Sequence, residues 1–166
     1  MHDFQYRKND LCCEQVPVDK IAAAVGTPFY LYSQSTLESH FAAFDSAFKQ
    51  IQHLTCYSVK ANSNISILKI FARHGAGADV VSGGELFRSL KAGVSPDRIV
   101  YSGVGKRPQE IEYAIDAGIL MFNVESPQEL ELISTLAEKK KRNARISLRV
   151  NPDINPGTHP YISTGL

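Results

Sequence analysis

The sequence has 166 residues, 43% of them hydrophobic and 21% charged, the balance of a globular chain with a real core, which excludes a disordered or fibrous protein. A net charge of +1 with acids and bases well mixed leaves no electrostatic footprint for nucleic acid or a membrane surface, and no apolar run approaches the ~20 residues that span a bilayer. The first residues lack the apolar stretch of a signal peptide, so the cytoplasm is the expected compartment, with Cys12, Cys13 and Cys56 as reduced thiols.

In chain order, residues 4–12 read as a strand, 18–25 as a short helix, 28–32 as another strand and 35–50 as a long amphipathic helix. In that helix Leu37, Phe41, Phe44 and Phe48 form a stripe expected to pack in the core. From about residue 50 a repeat sets in: a short β-branched or aromatic run, a small-residue turn, then helical periodicity. Strands are expected over 54–59, 78–82, 99–102, 120–124 and 146–150, and helices over 65–74, 84–92, 108–117 and 127–141. Pro108 and Pro127 sit where helices start, and Gly75, Gly93 and Gly118 fall just past helix ends. Strand onsets recur roughly every 20–26 residues, one β-α unit each, which implies a parallel sheet covered by helices, in a barrel or a doubly wound sheet. The basic run Lys139-Lys140-Lys141-Arg142 reads as a solvated helix end that suits the negative pole of the helix dipole.

Two glycine-rich stretches read as turns. Gly75-Ala76-Gly77 precedes a strand, where a dinucleotide loop would follow one, and Gly103-Val104-Gly105-Lys106 continues with Arg107 where a phosphate loop needs Ser or Thr. The histidines are scattered and no group has metal-ligand spacing, so no metal is expected. The informative segment is Tyr57-Ser58-Val59-Lys60-Ala61-Asn62-Ser63-Asn64, an apolar strand that ends in a lysine and passes through small polar residues into a helix. Lys60 would project from the C-terminal mouth of the sheet, where α/β barrels hold their active sites. An amine between apolar walls is driven toward its neutral, nucleophilic form, as Schiff-base chemistry requires. Spacing alone equally allows a strand-end lysine that snorkels to solvent.

Tyr57-Ser58-Val59-Lys60-Ala61-Asn62 resembles the cofactor-lysine motif of the alanine-racemase-like barrel family, which includes ornithine, arginine and diaminopimelate decarboxylases. Further segments match in order: Ala78 to Leu86, Tyr101 to Lys106, Phe122 to Ser126, Leu148 to Pro152 and His159 to Leu166. The last of these and the Gly-Gly-Glu-Leu step at 83–86 are most similar to the diaminopimelate branch. The resemblance implies an α/β fold, a partial (β/α)8 TIM barrel of the alanine racemase/ornithine decarboxylase type with about five βα units present. A complete barrel needs roughly 250 residues, so the remaining units and a C-terminal β-domain would lie outside this sequence. Residues 1–33 would belong with that β-domain, and 34–166 would be the N-terminal part of the barrel.

The implied cofactor is pyridoxal 5'-phosphate, anchored covalently on Lys60, with Asp79 near the cofactor and the lysine, and Arg149 approaching the cofactor ring or its hydroxyl. The other reading of Asp79 and Arg149 is a buried ion-pair network that involves Glu85. The implied reaction is decarboxylation of meso-diaminopimelate to L-lysine in a homodimeric parent enzyme, with no nucleic-acid or membrane partner. Sister decarboxylases of arginine, ornithine or carboxynorspermidine share the lysine motif, and a cofactor-binding or structural piece without turnover is the alternative from another class. An isolated half-barrel is expected to show Lys60 at its rim and an exposed apolar inner face built from Val59, Val81, Val100 and Val150.

Overall fold

The fold is known from a computed structural model, which describes residues 2–152, 154 and 157; the matching segment from His159 to Leu166 lies outside the described residues. The N-terminal part is a small antiparallel sheet of β1 (Phe4–Arg7), β2 (Asp10–Cys13) and β3 (Val16–Pro17). The single strand expected over 4–12 is thus a hairpin. Arg7 pairs with Asp10 across a two-residue loop in which Lys8 and Asn9 have φ of 49° and 75°. Positive φ at both positions is what the tight hairpin turn requires, and only Asn9 signals it in sequence. Helix α1 (Val18–Val25) follows as expected. Residues 28–32 form no strand: nothing pairs with them among the described residues, and Tyr30 is 91% exposed. β-Propensity without a neighbouring strand is not enough.

Helix α2 (Gln34–Ser46) is capped by Ser33, whose hydroxyl accepts from Thr36 N–H at 3.0 Å. It ends before the expected residue 50 because the chain tightens into i→i+3 bonds, Phe48 N–H to Asp45 O at 3.1 Å and Lys49 N–H to Ser46 O at 3.3 Å. Only half of its apolar stripe is core. Leu37 and Phe41 pack on Ile67, Phe71 and Ala76, whereas Phe44 and Phe48 are exposed and lie against each other.

Five parallel strands follow, β4 (Cys56–Ser58), β5 (Gly77–Val80), β6 (Ile99–Tyr101), β7 (Met121–Val124) and β8 (Ile146–Leu148), paired in sequence order. They alternate with α3 (Ile65–Arg73), α4 (Gly83–Lys91), α5 (Pro108–Ala117) and α6 (Pro127–Lys139). A doubly wound sheet reverses its strand order at a switch point, and this one does not, so the order is that of a barrel wall. Among the described residues β4 and β8 each pair on one side only, which leaves the wall open. Local chemistry fixes the joints. Ser82 and Ser126 each accept from the N–H three residues on, at 3.2 Å, and Pro127 occupies the first helical turn. Gly77 begins β5 where a Cβ would collide with Arg98 O and stand 2.7 Å from Cys56 Sγ, so only glycine allows β4, β5 and β6 to close up there.

The core lies between sheet and helices. Val59, Ala78, Val80, Ile99, Tyr101, Phe122 and Val124 meet Leu68, Leu86, Ile111 and Ile133, all buried. Strand alternation then turns Ser58, Asp79, Val100 and Asn123 to the other face. The inner face is therefore polar toward its mouth, and the apolar lining expected there is corrected. Val59 belongs to the helix-side core, Val81 and Val100 are half-buried, and Val150 is exposed beyond the end of β8. The basic run is a largely exposed helix end, as expected, and two of its residues also make ties. Lys140 pairs with Asp116 at 2.7 Å, and Arg142 Nη1 donates to Ile115 O and Asp116 O at 3.2 and 3.1 Å, tying the end of α6 to the end of α5.

Tyr101 is wholly buried against Phe122, and its hydroxyl has no hydrogen-bond partner among the described residues. Burial, with the Glu110 charge adding to it, pushes that hydroxyl far above its ordinary pKa. A buried hydroxyl left unpaired costs stability. Tyr101→Phe is therefore expected to raise the unfolding free energy by about 1 kcal/mol, read as a higher denaturant midpoint with unchanged m-value.

Candidate active site at the strand mouths

Strand β4 stops at Ser58, and Lys60 is carried on the one-turn 3₁₀ helix Val59–Ala61 that follows. Val59 points into the core and is fully buried, which pins the turn and leaves Lys60 exposed at the rim. Asn64 caps α3 by accepting from Ser66 N–H at 2.9 Å, so the chain leaves the turn directly into a helix. Lys60 makes no hydrogen bond or ion pair with the described residues.

Lys60, Asp79 and Arg149 line one cavity of about 380 Å³, together with Ser102, Asn123, Glu125 and Ser147. A larger hollow of about 720 Å³ along α6 and the segment after it is lined by none of the three. Asp79 sits on β5 with both carboxylate oxygens held: Oδ2 accepts from Ser58 Oγ at 3.0 Å and Oδ1 from Ser102 Oγ at 2.5 Å. Arg149 Nη1 donates to both oxygens of Glu125 at 3.1 Å, and Glu125 Oε1 also accepts from Gly103 N–H at 3.1 Å. Glu85 stands apart from these groups, accepting from Val81 N–H at 2.8 Å. The acid and the guanidinium thus have separate partners and share only the cavity.

Behind this wall is a group the sequence reading took for part of a turn. Lys106 is buried, and Nζ donates to Gly103 O at 2.8 Å, Asn123 O at 2.8 Å and Glu129 Oε1 at 2.7 Å. Three donors meet three acceptors, so the ammonium is fully satisfied, and it ties the ends of β6 and β7 to the first turn of α6. The available signal was Ser126-Pro-Gln-Glu129, a Ser-x-x-Glu pattern that places an acid in a helix's first turn.

A second clamp holds the neighbouring loop. Burial alone would raise the Glu110 carboxyl, but hydrogen bonds from the Arg107 side chain and from Gly83 N–H (2.8 Å) outweigh it and hold the group below the ordinary carboxylate range. A depressed folded value means the charged form favours folding. That contribution is complete above the ordinary value of about 4.3 and is lost as pH falls through the folded value. Glu110→Gln is expected to lower the melting temperature near neutral pH and to converge on the parent as pH falls through the folded value, measured as melting curves across pH.

Residues 34–166 match the family described as pyridoxal-dependent decarboxylase, pyridoxal binding domain. Over its full length the chain is 51% identical to a diaminopimelate decarboxylase of Haemophilus influenzae, of which it covers 40%. It is 49% identical to one of Aquifex aeolicus across 98% of this chain and 38% of the relative. The solved diaminopimelate decarboxylase of Helicobacter pylori complexed with L-lysine superimposes with a TM-score of 0.85 at 50% identity, over 90% of this chain and 38% of that one. The chain therefore spans about two fifths of the length of the relatives it matches. With a sequential parallel wall, a lysine at its mouth and a family match over 34–166, the chain belongs to the pyridoxal-dependent decarboxylases, matching their pyridoxal-binding domain.

Proposed function

We propose that the protein containing this chain decarboxylates meso-diaminopimelate to L-lysine with pyridoxal 5'-phosphate, and that Lys60 holds the cofactor. One observation carries this reading: Lys60 opens into a single cavity with Asp79 and Arg149, in a chain about half identical to diaminopimelate decarboxylases. The residues fit the cofactor on their own chemistry. Among the described residues they offer a primary amine without a partner, a carboxylate fixed by two hydroxyls, and a guanidinium whose Nε and Nη2 have no partner.

When bound, pyridoxal phosphate supplies an electron sink for the pair released as the α-carboxylate leaves. Lys60 Nζ would hold the cofactor as its amine anchor, and as a free amine facing the cavity it would hold a proton there. Asp79 keeps a fixed negative charge in the cavity and favours a cationic group within it. Arg149, steadied by Glu125, offers its remaining N–H groups to an anionic oxygen. We further propose that residues 1–33 pack with a domain outside this sequence and that the whole protein is a cytoplasmic homodimer. The exposed Tyr30, Tyr32 and Phe44 support a covered surface near that segment.

The test is carbon dioxide release by the full-length protein from meso-diaminopimelate, arginine, ornithine and carboxynorspermidine. Diaminopimelate is expected to lead in kcat/KM by roughly 100-fold or more, with lysine as product. A preference for another substrate would assign a sister activity, and cofactor binding without carbon dioxide from any of them would rule out the decarboxylase.

A further inference from the structure

The polar groups of the cavity are joined across four strands, and counting their protons fixes what each one does. Asp79, on β5, accepts from Ser58 at the end of β4 and from Ser102 beyond β6. A serine hydroxyl has one proton and two lone pairs. Ser102 spends its proton on Asp79, so it can only accept from its other neighbour, and Asn123 Nδ2 on β7 does meet it as a donor at 2.8 Å. That commitment turns the Asn123 amide. Nδ2 is held by Ser102, while Oδ1 has no partner among the described residues and is not sealed from solvent. The backbone on both sides is held as well, because Lys106 Nζ binds the carbonyls of Gly103 and Asn123.

We propose that Ser102 is a positioning residue of this site: it fixes the Asp79 carboxylate and orients Asn123, whose amide oxygen accepts a hydrogen bond from an N–H or O–H of the bound molecule. This rests on the cofactor site proposed at Lys60. The hydroxyl, rather than the volume, of residue 102 carries the effect, since it alone relays the orientation from an acid that can only accept to an amide that can do either.

The experiment compares Ser102→Ala, Ser102→Thr and Lys60→Ala in the full-length protein. It reads the pyridoxal phosphate dissociation constant from absorbance titration, kcat and KM separately, and the melting temperature without cofactor. Ser102→Ala is expected to weaken cofactor binding about tenfold and to lower kcat about tenfold, with the amino-acid KM within about twofold. Ser102→Thr, which keeps the hydroxyl, is expected to stay within about threefold of the parent. Parent-like affinity and kcat in Ser102→Ala would overturn the proposal. So would a Ser102→Thr protein that folds normally yet is as impaired as Ser102→Ala, or a loss in Ser102→Ala that merely follows a lower melting temperature. Lys60→Ala separates the two readings. If it alone keeps cofactor and turnover, the site itself is misassigned and the role of Ser102 falls with it; if Lys60→Ala fails and Ser102→Ala does not, only the positioning role falls.

Discussion

Lys60→Ala in the full-length protein is expected to cut turnover by about 1,000-fold or more and to abolish the visible absorption of bound cofactor, while the melting temperature without cofactor stays near that of the parent. The geometry supports both halves of that result. Lys60 is exposed at the rim, touches no described partner, and rides on a turn pinned by Val59, so truncating it removes chemistry and little packing. Lys106, the other lysine close to this wall, is already committed to three acceptors and cannot take over. Stopped-flow and steady-state assays alongside an absorption spectrum check the prediction. Turnover within about tenfold of the parent would place the cofactor amine elsewhere.

Glu129→Ala is expected to cause the largest loss of stability, about 3–5 kcal/mol, because it strands a buried ammonium without its counter-ion. The Lys106 side chain is 0% exposed and that of Glu129 10%, at a separation of 2.7 Å. Replacing both partners with apolar residues, Lys106→Met with Glu129→Leu, should recover much of the loss, since the cost lies in the unpaired charge more than in the missing bond. Denaturant unfolding of the full-length single and double variants gives the comparison. A Glu129→Ala protein within about 1 kcal/mol of the parent would show that water reaches the ammonium.

The barrel wall was legible because each strand and helix announces itself locally. The apolar runs, Pro108 and Pro127 at helix starts and Gly118 after α5 placed the βα units of the wall to within a few residues. The position of Lys60 at the strand mouth was legible for the same reason, since the end of a strand and the start of a helix bracket it. Features that depend on distant partners were not. The hairpin turns on Lys8 in a left-handed conformation that lysine does not advertise, and residues 28–32 have strand propensity without a strand to meet. The Lys106–Glu129 pair joins positions 23 residues apart, brought together by the parallel crossing from β6 to β7 rather than by any spacing in the sequence. The inner face was expected to be apolar because valines dominate the strands. Register decides otherwise: pairing Ser58 with Asp79, and Asn123 with Ser147, puts polar residues of adjacent strands on one face and sends the buried valines Val80 and Val124 to the helices.

The central claim is that Lys60, among ten lysines in this chain, is the amine that holds the cofactor. Borohydride reduction of the full-length protein loaded with pyridoxal phosphate, followed by peptide mass mapping, tests it most directly. A pyridoxyl group at one equivalent on the peptide that contains Lys60, absent from Lys60→Ala, is the predicted result. Label on a different lysine, or spread thinly over many, would contradict it.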